Sequence, residues 1–330
     1  MDLRTTYLGL ELAHPLMPGA SPLVDDLDQT RRLEDAGASA IVLHSLFEEQ
    51  VVAEELGALA RWERTADAFP EALSYMPHPL SFPMGPDGYL ELVRRTKEAV
   101  AVPVIASLNG VTPGGWVDHA RWIEEAGADA LELNTYFLAT DLDEPGEAVE
   151  RRTLDVLAAV RAATRLPIAV KLSPFYSALP HFVRRLQAGG AAGVVLFNRF
   201  YQPEVDPDAL EVGRALRLSD PSELNLRLRW LAILSGRLPG LSLGCSGGVH
   251  GPLDAVKAVM TGAHAVQMVS ALLRHGPERL REAVRGLAAW LEEREYESLR
   301  QLQGSMDLTR CPDPRAYERA NYAHLLQSWR

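Results

Sequence analysis

The sequence predicts a closed (β/α)8 barrel, an α/β fold in which parallel strands alternate with helices. Two recurring couplets, and the number of units they generate, support this. Residues 34–43 (EDAGASAIVL) and 124–133 (EEAGADALEL) are near copies, and 188–196 (AGGAAGVVL) and 260–268 (MTGAHAVQM) follow the same plan. Each reads as a helix stopping at glycine, a two-residue loop and a short apolar strand. In the second couplet, residues 102–107 (VPVIAS), 166–171 (LPIAVK) and 238–243 (LPGLSL) put proline where a long amphipathic helix gives way to a strand. Proline is tolerated at a first strand position because it need not donate to the ladder. Laid end to end, the units place strands near 15–21, 40–45, 102–108, 130–134, 167–172, 192–197, 241–245 and 265–269. Apolar strands alternating with helices indicate a parallel sheet covered by helices. Eight such units favour a closed barrel over a doubly wound open sheet.

Two connections exceed plain loops: 46–85 after strand two and 198–222 after strand six. Both leave strand C-termini, the face where such barrels keep their chemistry. Residues 277–330 are rich in Arg and Glu and are expected to form the eighth helix and a tail packed on the barrel. No linker marks a second domain, so residues 1–330 are read as one barrel. With 47% hydrophobic residues the chain can fill a large core. Its 33 basic against 44 acidic side chains leave a net charge of −11, which argues against nucleic acid or an anionic membrane as partner. Cys245 and Cys311 are the only cysteines, too few for a disulfide framework or a cysteine-built metal site. With no apolar run near ~18 residues and no signal-like N-terminus, the expectation is a cytoplasmic protein without a bound metal.

Side chains alternate along a strand. If Leu131 and Leu133 face the helices, Glu132 and Asn134 point into the barrel, and by the same logic so do Ala169 and Lys171. A carboxylate and an ammonium in neighbouring strands either plug the barrel as a buried ion pair or serve a site. The chain has only three lysines beside thirty arginines, so a compact ammonium at this mouth favours function. Asparagine is also scarce: of five, Asn109, Asn134 and Asn198 each close or follow a predicted strand. Their mixed donors and acceptors suit a planar polar ring. His44 ends strand two, as a core histidine or a site residue. Gly247 and Gly248 follow strand seven, and Ser270 and Ala271 follow strand eight, where barrels of this class bind phosphate through bare backbone N–H groups. Cys245, alone in that segment, reads as a small apolar filler.

Together these residues resemble the FMN-binding barrels of the dihydroorotate dehydrogenase family, in particular its dihydroorotate dehydrogenase-like bacterial members. The similarity spans nearly the whole chain. It includes PGAS at 18–21, ELN at 132–134, VKLSP at 170–174, GGV at 247–249, VQMVS at 266–270 and the tail segment 313–322. The resemblance implies an FMN oxidoreductase of pyrimidine metabolism acting on a CH–CH bond. It implies that Ala20, Ser21 and Ser45 contact the flavin, and that Asn109 and Asn134 bond its ring edge. Lys171 would sit at its N1/O2 side, and Gly247, Gly248, Ser270 and Ala271 would hold its phosphate. Asn134 and Asn198 would bind substrate. A homodimer, or a partner redox subunit that takes the electrons, is compatible with the resemblance, which leaves the electron acceptor open.

The departures fall in the substrate half. Family members carry a Cys or Ser base after the strand-four Asn, and that position is Phe137 here; a substrate-binding Asn falls on Ala139. The family's Asn-containing loop corresponds to 82–88 (FPMGPDG), which has no Asn, and the strand-two Lys-Ser becomes His44 and Ser45. Dihydroorotate itself is therefore not the expected substrate. Tyr136 and His44 are the titratable candidates near the flavin for the lost base. Two other readings compete: a lyase or aldolase using Lys171 as a Schiff base, and a flavin-binding subunit without catalysis of its own. A tRNA-reducing barrel ranks last, because it needs a Cys after Asn134 and a basic surface.

Overall fold

The computed structural model describes residues 1–54, 84–199, 202–213, 217–318 and 320–328. Most of the 46–85 connection and the first two residues of the 82–88 loop lie outside these. An N-terminal hairpin, β1 (Thr5–Tyr7) and β2 (Leu10–Leu12), precedes the barrel. The barrel runs β3 (Leu16–Pro18), α1 (Leu27–Asp35), β4 (Ile41–Phe47), α2 (Pro86–Ala99), β5 (Val104–Asn109), α3 (His119–Glu125), β6 (Ala130–Asn134) and α4 (Gly146–Ala163). It continues through β7 (Ile168–Leu172), α5 (Leu179–Ala188), β8 (Gly193–Leu196), a hairpin β9 (Glu204–Asp206) and β10 (Glu211–Gly213), and α6 (Leu224–Leu234). Then follow β11 (Ser242–Ser246), α7 (Pro252–Met260), β12 (Ala265–Met268), the short α8 (Ser270–His275), α9 (Glu278–Glu293), α10 (Leu299–Leu302) and α11 (Ala320–Ser328).

Eight parallel strands pair in the order β3-β12-β11-β8-β7-β6-β5-β4. The ring is nearly closed by Ser39, whose N–H and hydroxyl both donate to the Leu16 carbonyl, at 3.1 and 2.7 Å. The fold is the (β/α)8 barrel that the couplets predict, and each observed strand lies on or within two residues of its expected position. The couplets act as helix terminators. Gly37, Gly127, Gly190 and Gly262 all take φ between +96° and +111°. In each case the next residue's N–H bonds the carbonyl five residues back, as in Ala38 to Leu33 and Ala263 to Ala258. That is a Schellman stop, which a β-carbon would strain. The prolines offer only their carbonyls: Pro103 accepts from Ile41 N at 2.9 Å and Pro167 from Leu131 N at 3.0 Å.

Outward strand residues such as Leu43, Val170 and Val194 pack against the helices in one large core. The interior is a second, smaller core of Met17, Val42, Ile105, Ala130 and Ala169, with Tyr7 and Leu8 of the hairpin driven into it from below. This plug explains the small interior residues. A β-carbon on Gly193 would lie 2.8 Å from the Leu8 side chain, and one on Gly244 would lie 3.2 Å from the Tyr7 hydroxyl. The sequence reading assigned nothing to 1–14, although alternation around Leu8-Gly9 was a hairpin signal. The 198–222 connection carries β9 and β10, which were likewise not anticipated. Among the described residues no helix is long and apolar enough to cross a membrane.

Two imidazoles brace the floor. His14 Nδ1 accepts from Leu16 N at 3.2 Å and His264 Nδ1 from Leu243 N at 3.0 Å. Burial holds both below the ordinary histidine range, with no carboxylate to reverse it. A protonated Nδ1 cannot accept, so the folded state resists charging while the unfolded chain does not. Stability is then complete above the unfolded value of 6.5 and is lost as pH falls through and below it. Urea unfolding between about pH 7 and pH 5.5 should show stability falling by at most about 1.4 kcal/mol per unit for each histidine. A His14→Gln, His264→Gln variant should lose that slope. A slope unchanged in the variant would show that these imidazoles do not govern it.

Candidate active site

Side chains inside the barrel change character from floor to mouth. Register puts Ser107, Glu132 and Ala169 on one level and Asn109, Asn134 and Lys171 on the next. Below them lie Ile105 and Ala130, so a polar storey stands on an apolar one. Lys171 Nζ donates to Glu132 Oε1 at 3.0 Å and to Gln267 Oε1 at 3.4 Å, while Gln267 Nε2 donates to Glu132 Oε2 at 2.6 Å. Exposure is 6% for Lys171 and 1% for both Glu132 and Gln267. Removing two opposite charges from water costs several kcal/mol each, and only close pairing with filled hydrogen bonds offsets it. The Gln267 amide supplies that, turning its oxygen to the ammonium and its nitrogen to the carboxylate. Sequence reasoning gave Gln267 no role; its inward register on the last strand was the available signal. From the floor, burial and the nearby Glu132 charge push the Tyr7 phenol well above the usual tyrosine range. Tyr7 therefore remains a neutral wall to the pair.

The three asparagines meet. Asn109 pairs Asn134 in register, and Asn198 Nδ2 donates to Asn134 Oδ1 at 2.9 Å. The Asn198 main-chain N–H bonds the Leu172 carbonyl at 2.7 Å, which brings the start of the 198–222 connection in over β7. On β4 a register shift between Val42 and Ser45 sets Ser45 opposite Ser107, hydroxyls 2.7 Å apart. Ser107 is fixed in turn by Tyr89 of α2, whose hydroxyl donates to its carbonyl at 3.0 Å and accepts from its N–H at 2.8 Å. His44 is engaged elsewhere. Its Nδ1 lies 2.5 Å from the Asp25 carboxylate and its ring stands edge-on to Tyr89. So Ser45, and not His44, bonds into the polar storey.

Across the mouth, Gly247 and Gly248 adopt φ of +93° and +81°. A β-carbon on Gly248 would lie 2.4 Å from Leu224 N, so this turn of bare backbone tolerates no side chain. Ser270 is buried beside it, and its hydroxyl accepts from Ser219 N at 2.9 Å and Ser219 Oγ at 2.8 Å. Ser219, from the 198–222 connection, also takes a long bond of 3.4 Å from Gly248 N. It is a second site residue that the sequence reading did not single out. Ala271 and Cys245 are fully buried, and burial pushes the Cys245 thiol up to about 12, consistent with a filler. At the end of β3 the Ser21 hydroxyl is buried with no partner among the described residues.

After β6 the chain leaves the barrel. Tyr136 and Phe137 are half-buried, and residues 138–143 are exposed. The Phe137 ring lies under the Arg152 guanidinium of α4, 3.8 Å from its centroid, and Arg152 also pairs with Glu144. Phe137 is thus clamped by a cation–π contact at the base of the loop.

Comparison with known proteins settles the family. No protein-family model matches the chain. The chain is 30% identical over 220 residues to the putative dihydroorotate dehydrogenase A (fumarate) of Aeropyrum pernix, covering 65% of this chain and 71% of that protein. It belongs to the dihydroorotate dehydrogenase family. The dihydroorotate dehydrogenase B (NAD(+)) catalytic subunit of Methanosarcina acetivorans is 28% identical over 303 residues, 90% of this chain and 93% of that one. The NAD-dependent dihydropyrimidine dehydrogenase subunit PreA of Escherichia coli K12 is 22% identical over 325 residues, 92% of this chain and 76% of that one. These dihydroorotate dehydrogenase relatives support an oxidoreductase, and their names differ in electron acceptor.

The polar storey makes a thermodynamic prediction for this family member. Lys171→Met leaves the Glu132 carboxylate buried without its cation, and unfolding free energy should drop by about 3–5 kcal/mol. Adding Glu132→Gln should restore part of the loss, giving a coupling energy well above that of an exposed pair. Additive effects in chemical denaturation would show that the two residues do not act as one unit.

Proposed function

We propose that this chain is an FMN-dependent oxidoreductase acting on the CH–CH bond of a small cyclic substrate, of roughly dihydropyrimidine size. The observation that carries the reading is Lys171: a buried ammonium at the mouth, one register level above Glu132, with the asparagine layer beside it. Two further features fit an FMN-sized occupant. Ser21 presents a buried hydroxyl that no group among the described residues satisfies. Gly247 and Gly248 form a backbone turn that admits no side chain, next to the buried Ser270.

In this assignment Ala20, Ser21, Ser45, Asn109, Asn134 and Lys171 line the ring, and Gly247, Gly248, Ser270 and Ala271 take the phosphate. FMN, when bound, supplies a hydride centre and gathers negative charge on the N1/O2 side of its ring on reduction. Lys171 is the donor assigned to that charge, a fixed positive group costing no reorganisation at the moment of reaction. Glu132 and Gln267 aim Nζ and keep it from turning away. Asn134 and Asn198, bonded to one another, present the polar edge that orients the substrate ring. The proton at the substrate carbon is assigned to the Tyr136 hydroxyl, because Phe137 has no acceptor and Ser45, in place of His44, bonds into the polar storey. Loss of polar groups at Phe137 and Ala139 removes dihydroorotate from the expected substrates. A separate acceptor or a partner redox subunit would take the electrons, a reading supported by the Escherichia coli relative being named as a subunit. The Schiff-base reading is disfavoured, since such a lysine needs a free lone pair and Nζ is spent on Glu132 and Gln267.

The visible spectrum of the purified protein tests the cofactor, and anaerobic addition of dihydroorotate tests the substrate. A flavin spectrum that dihydroorotate does not bleach is the expected result. A colourless protein that takes up no FMN and is trapped covalently by borohydride with a carbonyl substrate would transfer the assignment to a lyase. With a substrate that does bleach the flavin, Tyr136→Phe should retain FMN but slow reduction by about 10²–10⁴-fold. Unchanged reduction would remove Tyr136 from the proton step.

A further inference from the structure

Behind the glycine turn stands an arginine that neither the sequence reading nor the proposed reaction uses. Arg227, in the first turns of α6, is 6% exposed. Its Nε donates to the Ser246 carbonyl at 3.0 Å and its Nη1 to the Glu223 carbonyl at 2.8 Å. The Ser246 carbonyl also accepts from Phe197 N at 3.2 Å, so the end of β11 is gripped from two sides. The contact continues onto the turn itself: a β-carbon on Gly247 would lie 2.9 Å from Arg227 Nη2. With Gly248 backed onto Leu224 N, the start of α6 and the glycine turn form one packed unit.

Arg227 shares its countercharge with a second arginine. Glu223 places one carboxylate oxygen 2.9 Å from Arg199 Nη1 and the other 3.7 Å from Arg227 Nη1. Two guanidiniums share the Glu223 carboxylate, while further along the turn the Asp254 carboxylate accepts from His250 N at 2.9 Å and Gly251 N at 3.0 Å. Desolvation weighs against the Arg227 cation, and Glu223 offsets it only in part, with Arg199 opposing. A buried cation lacking full compensation gains from an external anion.

We infer that Arg227 is a positioning residue for an anion site on the glycine turn, fixing the Ser246–Gly247 backbone and lending a guanidinium that only shares its countercharge to the field a phosphate group meets. It rests on the flavin reading only in naming FMN as the carrier of that phosphate. The residue acts through the backbone and the local field.

A phosphate-specific role predicts a split that a merely structural role does not. FMN and riboflavin binding to the apoprotein, read by flavin fluorescence, should diverge in Arg227→Met: FMN affinity falls by about tenfold or more, while riboflavin affinity stays within about twofold. Arg227→Lys, which keeps the charge but loses the fork, should fall between Met and wild type and should lose salt sensitivity least. Glu223→Gln, at a half-exposed site, keeps the main-chain acceptor and removes the countercharge, so FMN should bind several-fold tighter with a steeper salt dependence. Equal loss of both flavins in Arg227→Met, or equal retention, overturns the inference, as does weaker FMN binding in Glu223→Gln. Inorganic phosphate, added alone in a thermal-shift series, separates this from the cofactor assignment. A wild type that ignores FMN yet is stabilised by phosphate only when Arg227 is present retires the flavin and keeps the anion site. A wild type stabilised by neither ligand overturns both.

Discussion

The ion pair of Glu132 and Lys171 inside the barrel governs much of the rest of the structure. An apolar interior would be easier to bury, and the lower storey of Ile105 and Ala130 shows that the chain can build one. At the next levels it accepts two charges and must meet their demands. Gln267 from the far side of the ring is one answer, since it bonds both members at once. The neutral Tyr7 phenol below is another. It closes the barrel without adding a titrating group, because burial and the Glu132 charge both oppose its ionisation. The pair therefore couples β6, β7, β12 and the N-terminal plug. A side chain that loses water on every side but the mouth is poised for whatever enters there.

The plug and the mouth are two ends of one packing problem. Driving Tyr7 and Leu8 upward requires small residues above them, and Gly193 and Gly244 are glycine where a β-carbon would collide with the hairpin. With the floor sealed, a ligand has only the upper entrance. The polar residues of that entrance are held from behind as well as from beside. Tyr89 pins Ser107 from α2, Arg227 pins Ser246 from α6, and Ser219 reaches Ser270 from a loop. Glu48 ties the start of the connection after β4 to the loop after β5, accepting from Val111 N at 2.8 Å. The helices of this barrel position backbone as well as shield the sheet.

Strand and helix order was legible because both couplets encode a local event: a glycine that must adopt positive φ, or a proline with no N–H to give. The inward set on β6 and β7 was legible because alternation has a period of two. Ser219 and Arg227 were not, since each acts through long-range contact and has no local pattern, and the inward register of Gln267 does not announce the partners it meets across the ring. His44 shows the limit of alternation. The shift between Val42 and Ser45 changes which residue bonds Ser107, and nothing in the order of residues 41–47 announces it. The hairpin at 5–12 was passed over because its strands are three residues each and its purpose, filling the barrel floor, exists only once the barrel does.

The residues assigned to cofactor and to substrate divide in the same way. Positions assigned to the cofactor lie on strand ends whose neighbours are fixed by register, so changing one disturbs a ladder or the buried pair. Positions assigned to the substrate lie just beyond, where the chain after Asn134 leaves the barrel and residues 138–143 are exposed. Phe137 is accommodated there at little cost to the barrel, because it finds its partner outside, in Arg152 of α4. That contact stabilises a loop whose Phe137 offers no proton acceptor. A barrel so built can rewrite that loop and leave Lys171 alone, because the constraint on Lys171 comes from beneath the mouth and the constraint on Phe137 comes from beside it.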